Sequence, residues 1–262
     1  KIMDYTKIIL PELELMFHVK HQAQMAAAEA NVSRETLTPS PAPELLVIAG
    51  GRAPQPDWLR AAAKGRSVYA ADRGAACCLN AGVVPRTLYG DCDSTTEDVY
   101  ERLAALGTQV QRFLPEKDDT DLQLLLKSLP SGSLLATGIW GGRFDHLFSN
   151  VYTLMGVKQQ RGGVVLLADE QELLLLLEAD EDVELELHAE VEAVSLLPLS
   201  AETCVDFSGV HWPLKNAVLK QLYPYAISNV PSGKDARLHC SCHAGAVGLY
   251  IRWQDERISI NN

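Results

Sequence analysis

Between residues 45 and 168 short apolar runs alternate with segments of helical period. The runs 45–49, 67–71, 87–89, 109–114, 133–137 and 164–168 read as strands. Between them lie an Ala-rich stretch around 58–64 and a stripe of Leu122, Leu125, Leu126 and Leu129 at i, i+3, i+4 and i+7. Consecutive strands can lie parallel only if a crossover of a dozen or so residues returns the chain, and a helix supplies it. The alternation therefore predicts an α/β domain with a doubly wound, mostly parallel sheet. After residue 178 the pattern changes. Val183, Leu185 and Leu187 alternate with Glu184, Glu186 and His188, and turn signals recur at Ser208-Gly209, Pro213, Pro224, Ser232-Gly233 and Gly245. That is the pattern of a small all-β domain. Residues 1–43 are weakly periodic and end in a Pro- and Ser-rich stretch, so they read as an N-terminal extension and linker. The expected organisation is 1–43 extension, 44–178 α/β domain and 179–262 β domain.

Charge excludes several partners. The 262 residues hold 23 Lys+Arg and 34 Asp+Glu, a net charge of −11, and 11 of the acids fall between Asp169 and Glu192 with no base among them. The rest of the chain is neutral by count, so no basic field exists to hold nucleic acid or an anionic membrane surface. The acidic run itself reads as a solvated surface. No apolar run approaches the roughly 20 residues that span a bilayer. No secretory h-region follows the N-terminus, and six cysteines are too few for a disulfide scaffold. A reducing, cytoplasmic setting is expected.

Parallel strands bring their carboxyl ends to one edge, where open α/β sheets bind ligands. Five ends carry small or charged residues: Gly50-Gly51, Asp72-Arg73-Gly74, the stretch 90–94 with Asp91, Asp93 and Ser94, the stretch 117–121 with Lys117, Thr120 and Asp121, and Gly141-Gly142-Arg143 followed by Asp145. Asp91 and Asp93 alone read more simply as turn and helix-cap residues than as a metal pair, with Ser94 and Glu97 spaced as a capping box. Joined by Asp72 and Asp121, they become four carboxylates that repel one another unless a cation such as Mg²⁺ neutralises them. Lys117 and Arg143 add the positive charge a polyanion site requires, or else pair with neighbouring acids. Thr120 or Asp119 caps the helix that follows. The glycines let backbone approach a nucleotide. Neither a Walker loop nor a dinucleotide fingerprint is present.

The helix after Arg143 places Phe144, Leu147, Phe148, Val151, Leu154 and Met155 at core spacing, with Asp145, His146 and Asn150 off that stripe. The run from His239 to His243 invites a zinc reading. On a strand, however, Cys240 and Cys242 face one side while His239 and His243 face the other, so the four cannot converge on one ion. Cys77 and Cys78 read as small buried residues.

In order, Ala71-Asp72-Arg73-Gly74, the stretch 90–94, the stretch 116–121 and Gly141-Gly142-Arg143-Phe144-Asp145-His146 with Asn150 resemble the motifs of the thiamine pyrophosphokinase family. The stretches 195–199, 209–216 and 227–229 are similar to its C-terminal signature, and the resemblance runs from about residue 45 to 253. It implies a Rossmann-like catalytic domain, a C-terminal β-sandwich and a homodimer with thiamine bound near the subunit interface. The implied reaction moves the β,γ-diphosphate of ATP to the thiamine hydroxyl and releases AMP. Asp72, Asp91, Asp93 and Asp121 would handle metal and phosphate. Gly50, Gly51, Ser94, Lys117, Thr120, Gly142, Arg143 and Asp145 would line the nucleotide and diphosphate site, and Arg143 is also a candidate catalytic residue. Trp212, Ser228 and Asn229 would hold thiamine, Trp212 being otherwise an ordinary core tryptophan. Arg73 stands where the family more often has glycine, and Cys92 where it has a larger apolar residue. The alternatives are a pyrophosphokinase for another alcohol, such as a hydroxymethylpterin, and a catalytically silent nucleotide-binding module.

Overall fold

The computed structural model describes residues 4–19, 44–90, 96–113, 119–233 and 236–254. They form two compact units, one built from residues 43–176 and the other from the N-terminal segment together with residues 177–254. The chain opens with an antiparallel hairpin of β1 (Asp4–Leu10) and β2 (Leu13–Val19), which belongs to the second unit.

The α/β unit then follows the predicted alternation: β3 (Leu45–Ile48), α1 (Pro56–Ala63), β4 (Ser67–Ala71), α2 (Gly74–Ala81), β5 (Thr87–Gly90), α3 (Glu97–Ala105), β6 (Gln109–Arg112), α4 (Asp121–Ser128), β7 (Leu134–Thr137), α5 (Phe144–Arg161), β8 (Val165–Ala168) and β9 (Glu172–Glu178). In this unit the strands are ordered β9-β8-β7-β3-β4-β5-β6. The six from β3 to β8 are parallel, and β9 returns antiparallel to β8. Every residue of β3, β7 and β8 is buried, as expected of strands covered on both faces. From β3 the chain steps outward through β4, β5 and β6 before crossing back to place β7 on the other side of β3. Strand order reverses between β3 and β7, the point at which open α/β sheets bind ligands outside the carboxyl ends of their strands.

Leu122, Leu125 and Leu126 of α4 are buried as the stripe predicts, each worth about 1.5–3 kcal/mol of apolar burial. Two expectations for helices fail. In α5 only Leu154 and Met155 of the predicted stripe are buried, while Phe144 and Phe148 are 77% and 55% exposed. Their rings and that of Tyr152 instead contact one another along the helix, at centroid distances of 6.0 and 4.9 Å. Helical period decides which residues share a face, but it says nothing of whether a neighbour covers that face. In α3 the N-cap position belongs to Thr96, not Ser94, so Glu97 is the first helical residue rather than the third of a capping box.

The second unit contains β10 (Glu181–Leu187), β11 (Val191–Pro198), β12 (Glu202–Ser208), β13 (Leu214–Lys220), β14 (Arg237–Ala244) and β15 (Ala246–Trp253). One antiparallel sheet runs β1-β2-β10-β14-β12-β13, and β11 pairs with β15 to complete a β-sandwich. Residues 4–19, expected in an extension, thus add two strands to the edge at β10 and bury Ile8, Leu10 and Leu13. Cys240 and Cys242 are buried on one face of β14, with His239 and His243 on the other beside Asp182 and Asp206. The acidic run is not a uniformly solvated surface, because Asp169, Glu172, Glu181 and Asp182 are all less than 9% exposed. Among the described residues no helix is long and apolar enough to cross a membrane.

Candidate functional site

The carboxyl edge of the parallel sheet brings Asp72, Gly90, Asp121 and the glycine loops after β3 and β7 to one side of the α/β unit. Asp91, Asp93, Ser94 and Lys117 lie outside the described residues. Asp72, directly after β4, adopts φ +49, one of four non-glycine residues with positive φ among those described. For an L-residue that conformation costs about 1 kcal/mol or more. It is held by the Asp72 amide donating to the Tyr89 carbonyl at 2.9 Å and by the Asp72 carbonyl accepting from the Ala75 amide at 3.0 Å. Asp72 Oδ1 lies 3.5 Å from where a Cβ on Gly90 would stand, so carboxylate and glycine face each other across adjacent strand ends. A Cβ on Gly74 would strike the Ile48 carbonyl, and that absence lets α2 start against the end of β3. Arg73 sits in right-handed geometry at φ −61, ψ −12. An arginine here therefore carries no backbone strain.

After β3 the chain is stitched to the loop after β7. Gly51 N–H donates to the Gly138 carbonyl at 2.7 Å and Arg52 N–H to the Trp140 carbonyl at 2.5 Å. A Cβ on Gly51 would stand 2.5 Å from both carbonyl oxygens, so only glycine permits this approach. Gly141 and Gly142 follow at φ +69 and +68. Thr137, at the end of β7, buries a hydroxyl that has no hydrogen-bond partner among the described residues.

Asp121 opens α4 and is 5% exposed. Thr120 Oγ1 accepts from the Gln123 amide at 3.2 Å while Gln123 Oε1 accepts from the Thr120 amide at 2.8 Å. Of the two predicted cap candidates it is therefore Thr120 that caps, and Asp119 pairs with Lys127 at 2.7 Å. Arg143 and Asp145 form an exposed ion pair at the start of α5, with Nη2 to Oδ2 at 2.5 Å. The guanidinium holds the Asp145 carboxyl below its ordinary range, and the carboxylate raises Arg143 in return.

Of the second-unit candidates, Asn229 is buried and acts as a clamp. Its Oδ1 accepts from the Trp212 and Val230 amides at 3.1 and 2.9 Å, and its Nδ2 donates to the Trp212 carbonyl at 2.8 Å. The Trp212 side chain is thereby presented outward, 60% exposed and edge-on to His211 at 4.5 Å, which is no core tryptophan. Ser228 is exposed at φ +58, its amide donating to Ser195 Oγ at 3.0 Å.

Sequence reasoning missed Arg52. Its guanidinium donates through Nε and Nη2 to Asp169 Oδ2 at 3.0 and 2.6 Å and through Nη2 to Glu172 Oε1 at 2.6 Å. Burial pushes the Asp169 carboxyl upward and Arg52 opposes that push. Burial works against the charge on Arg52 too, but the hydrogen bonds to Asp169 and Glu172 outweigh it and hold its pKa above the ordinary value. These contacts span 117 and 120 residues, a separation no local pattern signals.

Residues 60–166 match the family model of the thiamin pyrophosphokinase catalytic domain. The crystal structure of thiamine pyrophosphokinase from Bacillus subtilis superimposes with a TM-score of 0.69 at 26% identity, covering 80% of this chain and 99% of that one. In both sequence and fold the chain is similar to thiamine pyrophosphokinases. In sequence it is 29% identical to the Bacillus subtilis thiamine pyrophosphokinase over 163 residues, 60% of this chain and 75% of that protein. Thiamine pyrophosphokinase 1 of Arabidopsis thaliana is 32% identical over 150 residues, and there the chain spans only 54% of the relative's length. The thiamin pyrophosphokinase of Candida albicans, at 16% identity and a TM-score of 0.67, shares the fold. The family's catalytic-domain match covers the chain from α1 into β8 and so takes in Asp72, Asp121 and the Gly141-Gly142 loop.

Proposed function

We infer that the protein is an ATP-dependent thiamine diphosphokinase. The observation that carries this reading is the family match over 60–166, which takes in the carboxyl edge of the parallel sheet with Asp72, Gly90, Asp121 and the Gly141-Gly142 loop. In the reaction the hydroxyl oxygen of thiamine bonds to the β-phosphorus of ATP, and the bond between that phosphorus and the oxygen bridging to the α-phosphate breaks. AMP leaves, and the hydroxyl proton passes to base. Such transfers are driven by positioning and by electrostatic stabilisation of phosphoryl oxygens.

The donor set suits Mg²⁺. Carboxylates are hard oxygen ligands, and Asp72, following β4, and Asp121, opening α4, both lie at the carboxyl edge of the sheet. Asp72, Asp91, Asp93 and Asp121 would hold the ion, which when bound neutralises charge on the triphosphate. To the nucleotide and diphosphate we assign Gly50, Gly51, Gly142, Ser94, Lys117 and Thr120. Arg143, held by Asp145, offers a cation to the diphosphate. Trp212 presents an aromatic face to the cationic thiamine ring, a contact of roughly 0.5–2 kcal/mol, with Ser228 exposed nearby in sequence and Asn229 fixing the Trp212 peptide. The exposed stripe of Phe144, Phe148 and Tyr152, with Leu222, Tyr223 and Ile227 of the second unit also exposed, supports a homodimer that covers them. The deciding measurement is AMP formation. It is expected only when ATP, Mg²⁺ and thiamine are all present and is lost in Asp91→Asn. Equal AMP release without thiamine, or with a hydroxymethylpterin in its place, would overturn the assignment.

A further inference from the structure

Arg52 stands at the reversal point of the sheet, directly after Gly50-Gly51, with β7 and β8 beyond it. Three sets of contacts meet there. Its backbone amide donates to Trp140 in the loop after β7, its guanidinium reaches Asp169 and Glu172 around the β8–β9 turn, and a Cβ on Gly141 would come within 3.2 Å of its own Cβ. Asp169 is itself fixed, its Oδ1 accepting from the Gln171 and Glu172 amides at 2.9 and 3.1 Å. With two carboxylates on one guanidinium the trio is net negative, so Arg52 is poorly suited to bind phosphate directly. A guanidinium held at two points is, however, a stiff strut, because its planar fork fixes direction as well as distance.

We propose that Arg52 is a positioning residue, whose bridge to Asp169 and Glu172 locks the loops after β3, β7 and β8 together and so sets the Gly50-Gly51 and Gly141-Gly142 backbone at the spacing a nucleoside triphosphate requires. This rests on the nucleotide reading of that edge given above. Arg52→Lys keeps the charge but loses the fork, and Glu172→Gln keeps the shape but loses one charge. Each is expected to raise KM for ATP about tenfold, to change kcat less than threefold, and to leave KM for thiamine unaltered. Calorimetry with α,β-methylene ATP is expected to show the same tenfold weakening without turnover, with thermal melting recorded on each protein. A folded Arg52→Lys protein with KM for ATP within twofold of the parent overturns the proposal, as does a loss carried by kcat alone. Should Arg52→Lys fail to fold, Glu172→Gln decides by the same criteria. A parent protein that binds the analogue but makes no thiamine-dependent AMP overturns the enzymatic reading and leaves the calorimetric comparison to judge Arg52. A parent that does not bind the analogue overturns both.

Discussion

Asp72 and Ser228 both hold positive φ, although neither is a glycine. Glycine would relieve that strain at either position, and the proposed metal role gives Asp72 a reason to keep its side chain. Asp72→Gly and Asp72→Ala should therefore separate stability from activity. Both are expected to lose activity by a hundredfold or more, while the Gly variant is more stable than the Ala variant by about 1 kcal/mol, as urea denaturation would show. At Asp206 the Asn216 amide, joined by His243, holds the carboxyl below its ordinary range. A depressed folded pKa gives stability that is present above the unfolded value and vanishes as pH falls through the folded one. The stability gap between the parent and Asp206→Ala is thus expected to be level from about pH 5 to 8 and to shrink below about pH 4, measured by denaturation at each pH. Burial pushes the Cys242 thiol up to about 12 and also raises Cys78 and Cys240. Those three should stay unlabelled by a thiol reagent at pH 8 until the protein unfolds.

At the level of single elements, the helices separate what periodicity can say from what it cannot. The leucine stripe of α4 was legible because its buried face lies in the interior, whereas its cap was left between Thr120 and Asp119 until the reciprocal bonds of Thr120 and Gln123 decided it. Thr120→Ala is expected to cost about 1 kcal/mol in chemical denaturation. The aromatic stripe of α5 has the same spacing and the opposite fate. Phe148→Ser should cost the isolated protomer less than about 1 kcal/mol, against the 3–5 kcal/mol typical of an emptied core site. By light scattering it should instead weaken self-association. A loss of stability of core size would show that the residue is buried after all.

Across the whole molecule, the hairpin at residues 4–19 shows how a weak local pattern acquires structure from pairing. Neither strand is strongly periodic, yet β2 forms a continuous register with β10 from Val19 opposite Glu181 to Leu13 opposite Leu187. That ladder covers an edge that would otherwise present unpaired backbone groups. Removing residues 1–19 is expected to lower the melting temperature and to promote association through the uncovered β10 edge, visible in size-exclusion chromatography.

By itself the sequence determined the parallel sheet and the residues at its carboxyl edge. A strand's period of two, a helix's period of 3.6 and the length of a crossover are local properties, and parallel strands must end on the same side. Asp72, Asp121, Gly51 and Gly142 could therefore be assigned to that edge without coordinates. Only the tertiary structure decided where the order reverses between β3 and β7, that Arg52 reaches across 117 residues to a buried Asp169, and that acids in a run read as solvated are in fact enclosed. Those outcomes depend on which surfaces meet, and contact between distant segments leaves no periodic trace in either one.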